Sequence, residues 1–152
     1  MNITTQDIAA VAFAVDSLLK DSQAVQDIDP TIEVAEQINE DPTRCPWVGV
    51  YPARCGFPPR GAGFGAGFRY QNPEVFVVCQ QMHANDGRVC LELLGELVKA
   101  VTGAILSDFA LKGTVQMTTD FDVEFSGYQK VNDAIMQTAT IRVVGQTTVS
   151  GG

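Results

Sequence analysis

The sequence has few of the residues that build catalytic and metal centres, and little positive charge. Its 152 residues include one His, one Trp and four Cys, with ten Lys and Arg against 18 Asp and Glu, so the net charge is −8. Phosphate contacts need clusters of basic residues, so wrapping of nucleic acid is disfavoured. No apolar run reaches the roughly 18 residues of a membrane span, and no basic N-terminal region indicates a secretory signal. We therefore expect synthesis in a cytoplasm and no membrane contact.

The thiol and imidazole groups do not form a recognisable reactive motif. Cys45, Cys55, Cys79 and Cys90 lack CxxC spacing, which argues against a zinc site or a redox dithiol. Cys79 and Cys90 occupy apolar positions, whereas Cys45 and Cys55 flank a predicted strand and could lie close together. A disulfide between them is not expected in a reducing cytoplasm. His83 could pair with Cys79 or Cys90, but no orienting group accompanies such a dyad. We expect no enzymatic activity, no metal and no cofactor.

The strongest pattern predicts a helix from Asn85 to Ile105. Its apolar residues recur at intervals of three and four and so share one face, which Leu93 and Val98 widen. Asn85 or Asp86 is expected to cap the helix. The apolar stretch before it, at about 74–82, predicts a central strand that is covered on both sides.

The rest of the chain predicts an N-terminal helix and further strands around this unit. The helix is expected from Thr4 to about Leu19, and strands are expected at 47–51, 114–125 and about 135–144. Residues 31–39 fit a strand or a short helix, and the strand is favoured. In the strand at 114–125, one face is expected to be apolar, formed by Val115, Met117, Phe121, Val123 and Phe125. A turn is expected at 127–130, followed by antiparallel pairing of the last two strands. The predicted fold is a single α+β domain over 1–152, with a mixed, mainly antiparallel sheet packed against the N-terminal and central helices.

Three acidic residues, Asp120, Asp122 and Glu124, alternate along a predicted strand and so share its second face. They could collect a divalent cation, but sites for hard cations usually draw their ligands from curved loops. A solvated or pore-facing acidic strand is the favoured interpretation.

A segment rich in glycine and aromatic residues, at about 55–72, predicts a long loop or hairpin. Its glycines lack the following helix and the Lys of a phosphate-binding loop, so nucleotide binding is disfavoured. Aromatic residues and Arg are enriched at interfaces, so the segment is expected to contact a partner. The candidate contact residues are Phe57, Arg60, Phe64, Phe68, Arg69 and Tyr70. A loose tail is expected at about 147–152.

Charge is distributed unevenly along the chain. Residues 1–41 contain nine acidic residues and one Lys, residues 42–72 contain four Arg and no acidic residue, and residues 73–152 contain nine acidic and five basic residues. This separation suits contact between copies of the chain. The alternative is a solvated acidic surface that keeps the protein in solution.

Three stretches follow one another along the chain: the opening helix TTQDIAAVAFAVDSLLK, the strand–helix unit VFVVCQQMHANDGRVCLELLGELVKAVTG and the ending ATIRVVGQTTVSGG. With these stretches, the order of elements resembles that of the tail-terminator, or tail-completion, proteins of long-tailed bacteriophages. Neck proteins that join head to tail have a related build and are a second possibility at this level.

The resemblance implies a structural protein of the virion. Such proteins form a ring, usually of six copies, that caps the tail tube and meets the head connector. The implied partners are other copies of the chain, the tail tube protein and the connector or neck proteins. Genomic DNA is expected only to pass through the lumen, which the acidic strand face could line because like charges repel. A small ligand- or peptide-binding module that uses the glycine-rich segment is the alternative from a different functional class.

Overall fold

The computed structural model describes residues 5–35, 37–56 and 70–148. These residues form three α-helices, a one-turn 3₁₀ helix and six strands. In chain order, the elements are α1 (Thr5–Asp21), α2 (Gln23–Ile28), β1 (Thr31–Val34), the 3₁₀ helix (Pro42–Arg44), β2 (Trp47–Gly56), β3 (Tyr70–His83), α3 (Gly87–Leu106), β4 (Met117–Phe125), β5 (Gln129–Val131) and β6 (Ala134–Thr148).

The strands form one mixed sheet in the order β1-β2-β3-β6-β4, with β5 also paired to β6. The β1–β2 pair is parallel and the other pairs are antiparallel. The predicted α+β fold is therefore confirmed, with a mainly antiparallel sheet packed against an N-terminal and a central helix. The two longest strands, β3 and β6, pair over most of their length and form the middle of the sheet.

The core lies between the sheet and the helices on one side, which we call the helix-covered face. Val75, Val77 and Cys79 alternate along β3 and are fully buried there, because successive side chains of a strand point to opposite faces. The buried stripe of α3 packs over them and includes Leu94 and Leu97. Each fully buried Leu contributes about 1.5–3 kcal/mol through removal of apolar surface from water.

The α3 stripe is narrower than the sequence predicts. Val98 is buried as expected, but Leu93 is 40% exposed and does not widen the apolar face. The helix begins one residue after Asp86, whose Oδ1 accepts hydrogen bonds from the backbone N–H groups of Arg88 and Val89. Asp86 is therefore the N-cap, as one of the two expected alternatives.

A β-bulge in β4 corrects the predicted apolar face of this strand. Thr118 pairs with Gly145, but Asp120 pairs with Val144, so one extra residue lies in β4 between the two pairs. The bulge moves Met117, opposite Gln146, to the same side of the sheet as Asp120. The prediction that Met117 shares a face with Phe121 is wrong, because strict alternation holds only where no residue is inserted.

The predicted turn at 127–130 is also in the wrong place. Gln129–Val131 form strand β5, and the turn is the two-residue loop Asn132–Asp133 between the paired residues Val131 and Ala134. Both loop residues have positive φ, 51° and 67°, which two-residue hairpins of type I′ require and which Asn and Asp tolerate.

Other boundaries shift by several residues. The strand expected at 31–39 ends at Val34, and β2 continues past the expected 47–51 to Gly56. Strands β2 and β3 are paired as far as Gly56 and Asn72, so the two ends of the predicted loop belong to antiparallel strands. Residues 57–69 of this loop lie outside the described residues. Strand β6 runs to Thr148, so the described part of the predicted tail at 147–152 belongs to the sheet.

Candidate functional site

The side of the sheet opposite the helices, which we call the helix-free face, is covered at one end by the connector between β1 and β2. Gln80 projects from β3 on this side and donates a hydrogen bond of 2.9 Å to the backbone carbonyl of Asn39 in the connector. Trp47 lies fully buried against Gly49, where a Cβ would fall 2.3 Å from the indole ring. Glu33 accepts hydrogen bonds from the Trp47 indole N–H and from Arg44, each at 3.0 Å.

The other end of the helix-free face carries a charged cluster centred on Arg142, which projects from β6. Its Nε donates to Glu74 at 2.8 Å, and its Nη1 donates to Asp120 at 2.6 Å and lies 3.4 Å from Asp122. Glu74 also lies 3.7 Å from Arg54. One guanidinium therefore links three neighbouring strands, because β3, β6 and β4 lie side by side.

Electrostatics favours the ionised forms in this cluster. Hydrogen bonds to Glu74 and Asp120 raise the pKa of Arg142 above its ordinary value. The hydrogen bond from Arg142 lowers the pKa of Asp120, so this carboxylate stays charged in mildly acidic solution. The side chain of Glu74 is only 9% exposed, so Arg142 supplies the opposite charge that a nearly buried carboxylate requires.

The three acidic residues predicted to share one strand face do so in β4. Asp120 and Asp122 are both within ion-pair distance of Arg142, and their side chains remain 55% and 58% exposed. Glu124 is exposed on the same strand face, two residues further along. Across residues 5–35, 37–56 and 70–148, no group of three or more His, Cys, Asp and Glu side chains is arranged to hold a metal ion.

The thiols are poorly suited to act as nucleophiles. Burial raises the pKa of Cys79 to about 12 and the pKa of Cys45 to about 11, and it also raises the pKa values of Cys55 and Cys90. The Cys90 thiol donates to backbone carbonyls of Gln81 and Ile135. A thiolate is the reactive form, so these environments disfavour nucleophilic attack. All four cysteines lie among the described residues, and each is a free thiol.

His83 has a local structural role at the end of β3. Its Nδ1 accepts hydrogen bonds from the backbone N–H groups of Asn85 and Asp86, at 3.3 and 3.0 Å. The imidazole therefore organises the turn that leads into α3.

An apolar groove lies beside β4, between this strand and the end of α3, and we call it the β4 groove. It has a volume of about 210 Å³ and is lined by Leu106, Phe109, Thr118, Thr119, Asp120 and Phe121. Leu106 and Phe109 are 58% and 67% exposed. Strand β4 is an edge strand of the sheet, and its outer edge is unpaired within the described part of the chain. Free backbone groups and exposed apolar side chains thus occur together at this edge.

A second groove lies among the three helices and has a volume of about 650 Å³. Its apolar lining includes Leu18, Ile28 and Ala104, and its rim includes Asp27, Glu96 and Lys99. The open shape and the acidic rim suit a peptide better than a deeply buried small molecule.

The predicted partner-contacting residues cannot be placed beside these grooves. Phe57, Arg60, Phe64, Phe68 and Arg69 lie outside the described residues, and only the backbone of Tyr70 is described, where β3 begins. Their contact role stays a prediction.

Sequence reasoning missed the residues that organise the site. The partnership of Arg142 with Glu74 spans 68 residues and has no local signal. Arg142 itself has a weak signal in the sequence. It alternates with apolar residues along β6, as the acidic residues do along β4. Leu106 and Phe109 were missed because they come after the apolar stripe of α3 in the sequence and are not part of its repeat.

The sequence matches no protein-family model, and the search of curated proteins gave no match. Within the described residues, no helix combines the length and the apolar character that crossing a membrane would require.

Proposed function

We propose that the protein is a structural virion component of a long-tailed phage, which forms a ring that ends the tail tube and joins it to the head connector. The proposal begins with the resemblance to tail-terminator proteins. The observation that supports it best is the exposed carboxylate row of Asp120, Asp122 and Glu124 on the helix-free face of an edge strand.

An acidic row of this kind suits the wall of a DNA channel. The cluster contains four carboxylates, with Glu74, and two guanidinium groups, from Arg54 and Arg142, so its formal charge is −2. A negative wall repels phosphate and lets DNA pass without adhering. The Arg142 pairs hold Asp120 and Asp122 in place while leaving each more than half exposed.

Self-association is the second requirement, and the free edge of β4 supports it. A closed ring needs a heterologous interface, in which one patch meets a different patch on the next copy. An unpaired strand edge beside an apolar groove is a surface that soluble proteins usually protect, and its exposure here favours a partner. We propose a structural role rather than catalysis, with the tail tube and connector proteins as further partners and the virion as the location.

The first experiment is to measure the mass of the purified protein in solution and to image it by negative-stain electron microscopy, with and without tail tube protein. Rings, or a monomer that forms rings on the end of tail tubes, are expected. A chain that stays monomeric and never associates with tube or connector proteins would contradict the proposal.

The channel role has its own test, in particles assembled with variant protein. Asp122→Lys with Glu124→Lys reverses two of the three charges in the row and leaves the Asp120–Arg142 pair intact. We expect DNA delivery per assembled particle to fall, measured at protein concentrations at which this variant and its control form equal numbers of rings. The matched control is Asp27→Lys with Glu92→Lys, which changes the net charge equally on exposed helix positions. Equal infectivity of both double variants would argue against a lumen-facing row.

A peptide-binding module is the second candidate, and the groove among the helices favours it. Its volume and apolar lining would accept one face of a short amphipathic segment. Binding of a peptide library to the monomer, abolished by Ala104→Glu in the groove, is the expected result for this function. Retained binding in that variant would exclude the groove.

A further inference from the structure

The outer edge of β4 combines three features that together describe a docking site for an extended chain. Its backbone is unpaired within the described residues, the β4 groove runs beside it on the helix-covered side, and its acidic row lies on the helix-free side. Phe125, on the same strand side as Phe121, is 50% exposed. A strand added here would find an apolar surface on one side and negative charge on the other.

One segment of this chain has the complementary sequence. Residues 63–69 read GFGAGFR, so Phe64, Ala66 and Phe68 would share one side of an extended strand, and Arg69 would lie on the other with the glycines. Residues 57–69 contain Arg60 and Arg69 and no acidic residue. We propose that residues 63–69 of one copy add to the β4 edge of a second copy, with Phe64 and Phe68 in the β4 groove and Arg69 beside the acidic row.

The reach of the segment favours a second copy over its own edge. The segment starts and ends on adjacent strands, at Gly56 and Tyr70, so its thirteen residues must go out and return. At about 3.3 Å per residue, the reach is roughly 20 Å. The site beyond β4 is three strand spacings from β3, or about 14 Å, so few residues would remain for pairing with its own edge.

The opposite edge of the sheet, strand β1, fits the β4 edge of a second copy less well than residues 63–69 do. Strand β1 has four residues, Thr31–Val34, and its Glu33 projects on the helix-free side. Pairing β1 with β4 of a neighbour would bring Glu33 towards the acidic row, and like charges oppose such pairing. Residues 57–69, in contrast, are positively charged and would be attracted to the acidic row.

This inference rests on the proposed self-assembly, and it names the contact that joins the copies. The experiment measures, by light scattering, the protein concentration at which assembly is half complete. This midpoint concentration is compared between full-length variants. Phe109→Asp changes an exposed groove residue, and Phe64→Ser with Phe68→Ser changes the added strand. Each is expected to raise the midpoint concentration at least about tenfold, which corresponds to about 1.4 kcal/mol of association free energy. Phe13→Asp is the matched control, because Phe13 is 58% exposed on α1, away from the groove, and it should stay within about twofold of the parent.

Charge reversal gives a second, independent readout. Arg69→Glu and Glu124→Arg should each weaken assembly, and the combined variant should recover it, because the swapped pair restores attraction. Assembly of the Phe109 and Phe64/Phe68 variants at the parent's midpoint would overturn the inference.

A direct binding assay separates failure of this inference from failure of the proposed function. If the parent chain forms no rings, a labelled peptide of residues 57–70 is added to it, and hydrogen exchange of residues 117–125 is measured. Slower exchange with this peptide, but not with its Phe64→Ser/Phe68→Ser form, would support the docking site even though the ring proposal had failed. No binding of the peptide at about 1 mM, an affinity of about −4 kcal/mol, would overturn the docking site itself.

Discussion

The two sides of the sheet are stabilised by different kinds of interaction. The helix-covered face is a continuous apolar core in which α1 and α3 pack on residues such as Val77 and Ile141. The helix-free face holds specific polar contacts, including the Gln80–Asn39 hydrogen bond and the Arg142 cluster. Apolar burial is tolerant of position, whereas polar contacts require particular partners. The first face therefore accounts for most of the stability, and the second offers most of the specific surface.

The largest expected effect comes from opening the helix-covered face. Leu97→Ala removes a fully buried side chain and leaves a cavity, so the free energy of unfolding should fall by about 2–5 kcal/mol in urea denaturation. Leu91→Ala on the same helix is the control, because Leu91 is 49% exposed and its loss should cost under about 1 kcal/mol. Equal losses for both would mean that α3 is not oriented as described.

A smaller effect is expected from a clash on the helix-free face. Gly49→Ala places a methyl group against the Trp47 ring, and overpacking should cost about 1–3 kcal/mol. Thermal unfolding and Trp fluorescence report the change. The matched control is Gly95→Ala in α3, where an added Cβ would meet no atom within 4 Å beyond its chain neighbours and the backbone of the helix itself. The higher helix propensity of Ala should stabilise the protein there by up to about 1 kcal/mol. Stabilisation by both substitutions would show that Trp47 does not pack on Gly49.

Low pH also distinguishes the two faces, because it acts on the charged cluster of the helix-free face and not on the apolar core. The folded pKa of Asp120 lies below its ordinary value of 3.8, so its contribution is present at higher pH and is lost as pH falls through the lowered pKa. Asp120→Asn should therefore destabilise the protein at pH 7, and its difference from the parent should shrink between pH 7 and pH 2. Urea denaturation at both pH values measures this, and an equal loss at both would exclude the charge interaction as the cause.

The smallest effect is expected outside both faces, at the Asn132–Asp133 turn. Asp133 has a φ of 67°, which Gly adopts without a steric penalty, so Asp133→Gly should stabilise the hairpin by about 0.5 kcal/mol or less. Differential scanning calorimetry is the measurement. A loss of more than about 1 kcal/mol would indicate that the Asp133 side chain has a role beyond the turn.

The parts of the fold that could be predicted from sequence are those governed by local period. Helix α3 was placed within two residues at its start and one at its end, because Leu94, Leu97 and Val101 repeat with the helical period. The sheet class followed from alternation in β4 and β6. Met117 was misplaced because a bulge adds a residue without a sequence signature. The Asn132–Asp133 turn did have a signal, which the preceding glycine at 127 obscured.

The candidate site was only half predictable. Alternation alone placed Asp120, Asp122 and Glu124 on one strand face. The partner that holds two of them, Arg142, depends on the pairing register of β4 with β6, which local sequence does not determine. The β4 groove depends on how the loop after α3 returns to the sheet, and residues such as Phe109 follow no regular period there.

The position of β6 has a consequence for how the chain acquires its structure during synthesis. Strand β6 is the last described element of the chain, yet it lies inside the sheet between β3 and β4. Its contacts are distant in sequence, as in the Glu74–Arg142 pair at a separation of 68 residues, and such topologies fold slowly. Until β6 has left the ribosome, β3 and β4 have no central partner and both expose strand edges. Translation of Ala134–Thr148 is therefore the step that joins the β1-β2-β3 fragment and the unpaired strand β4 into one sheet.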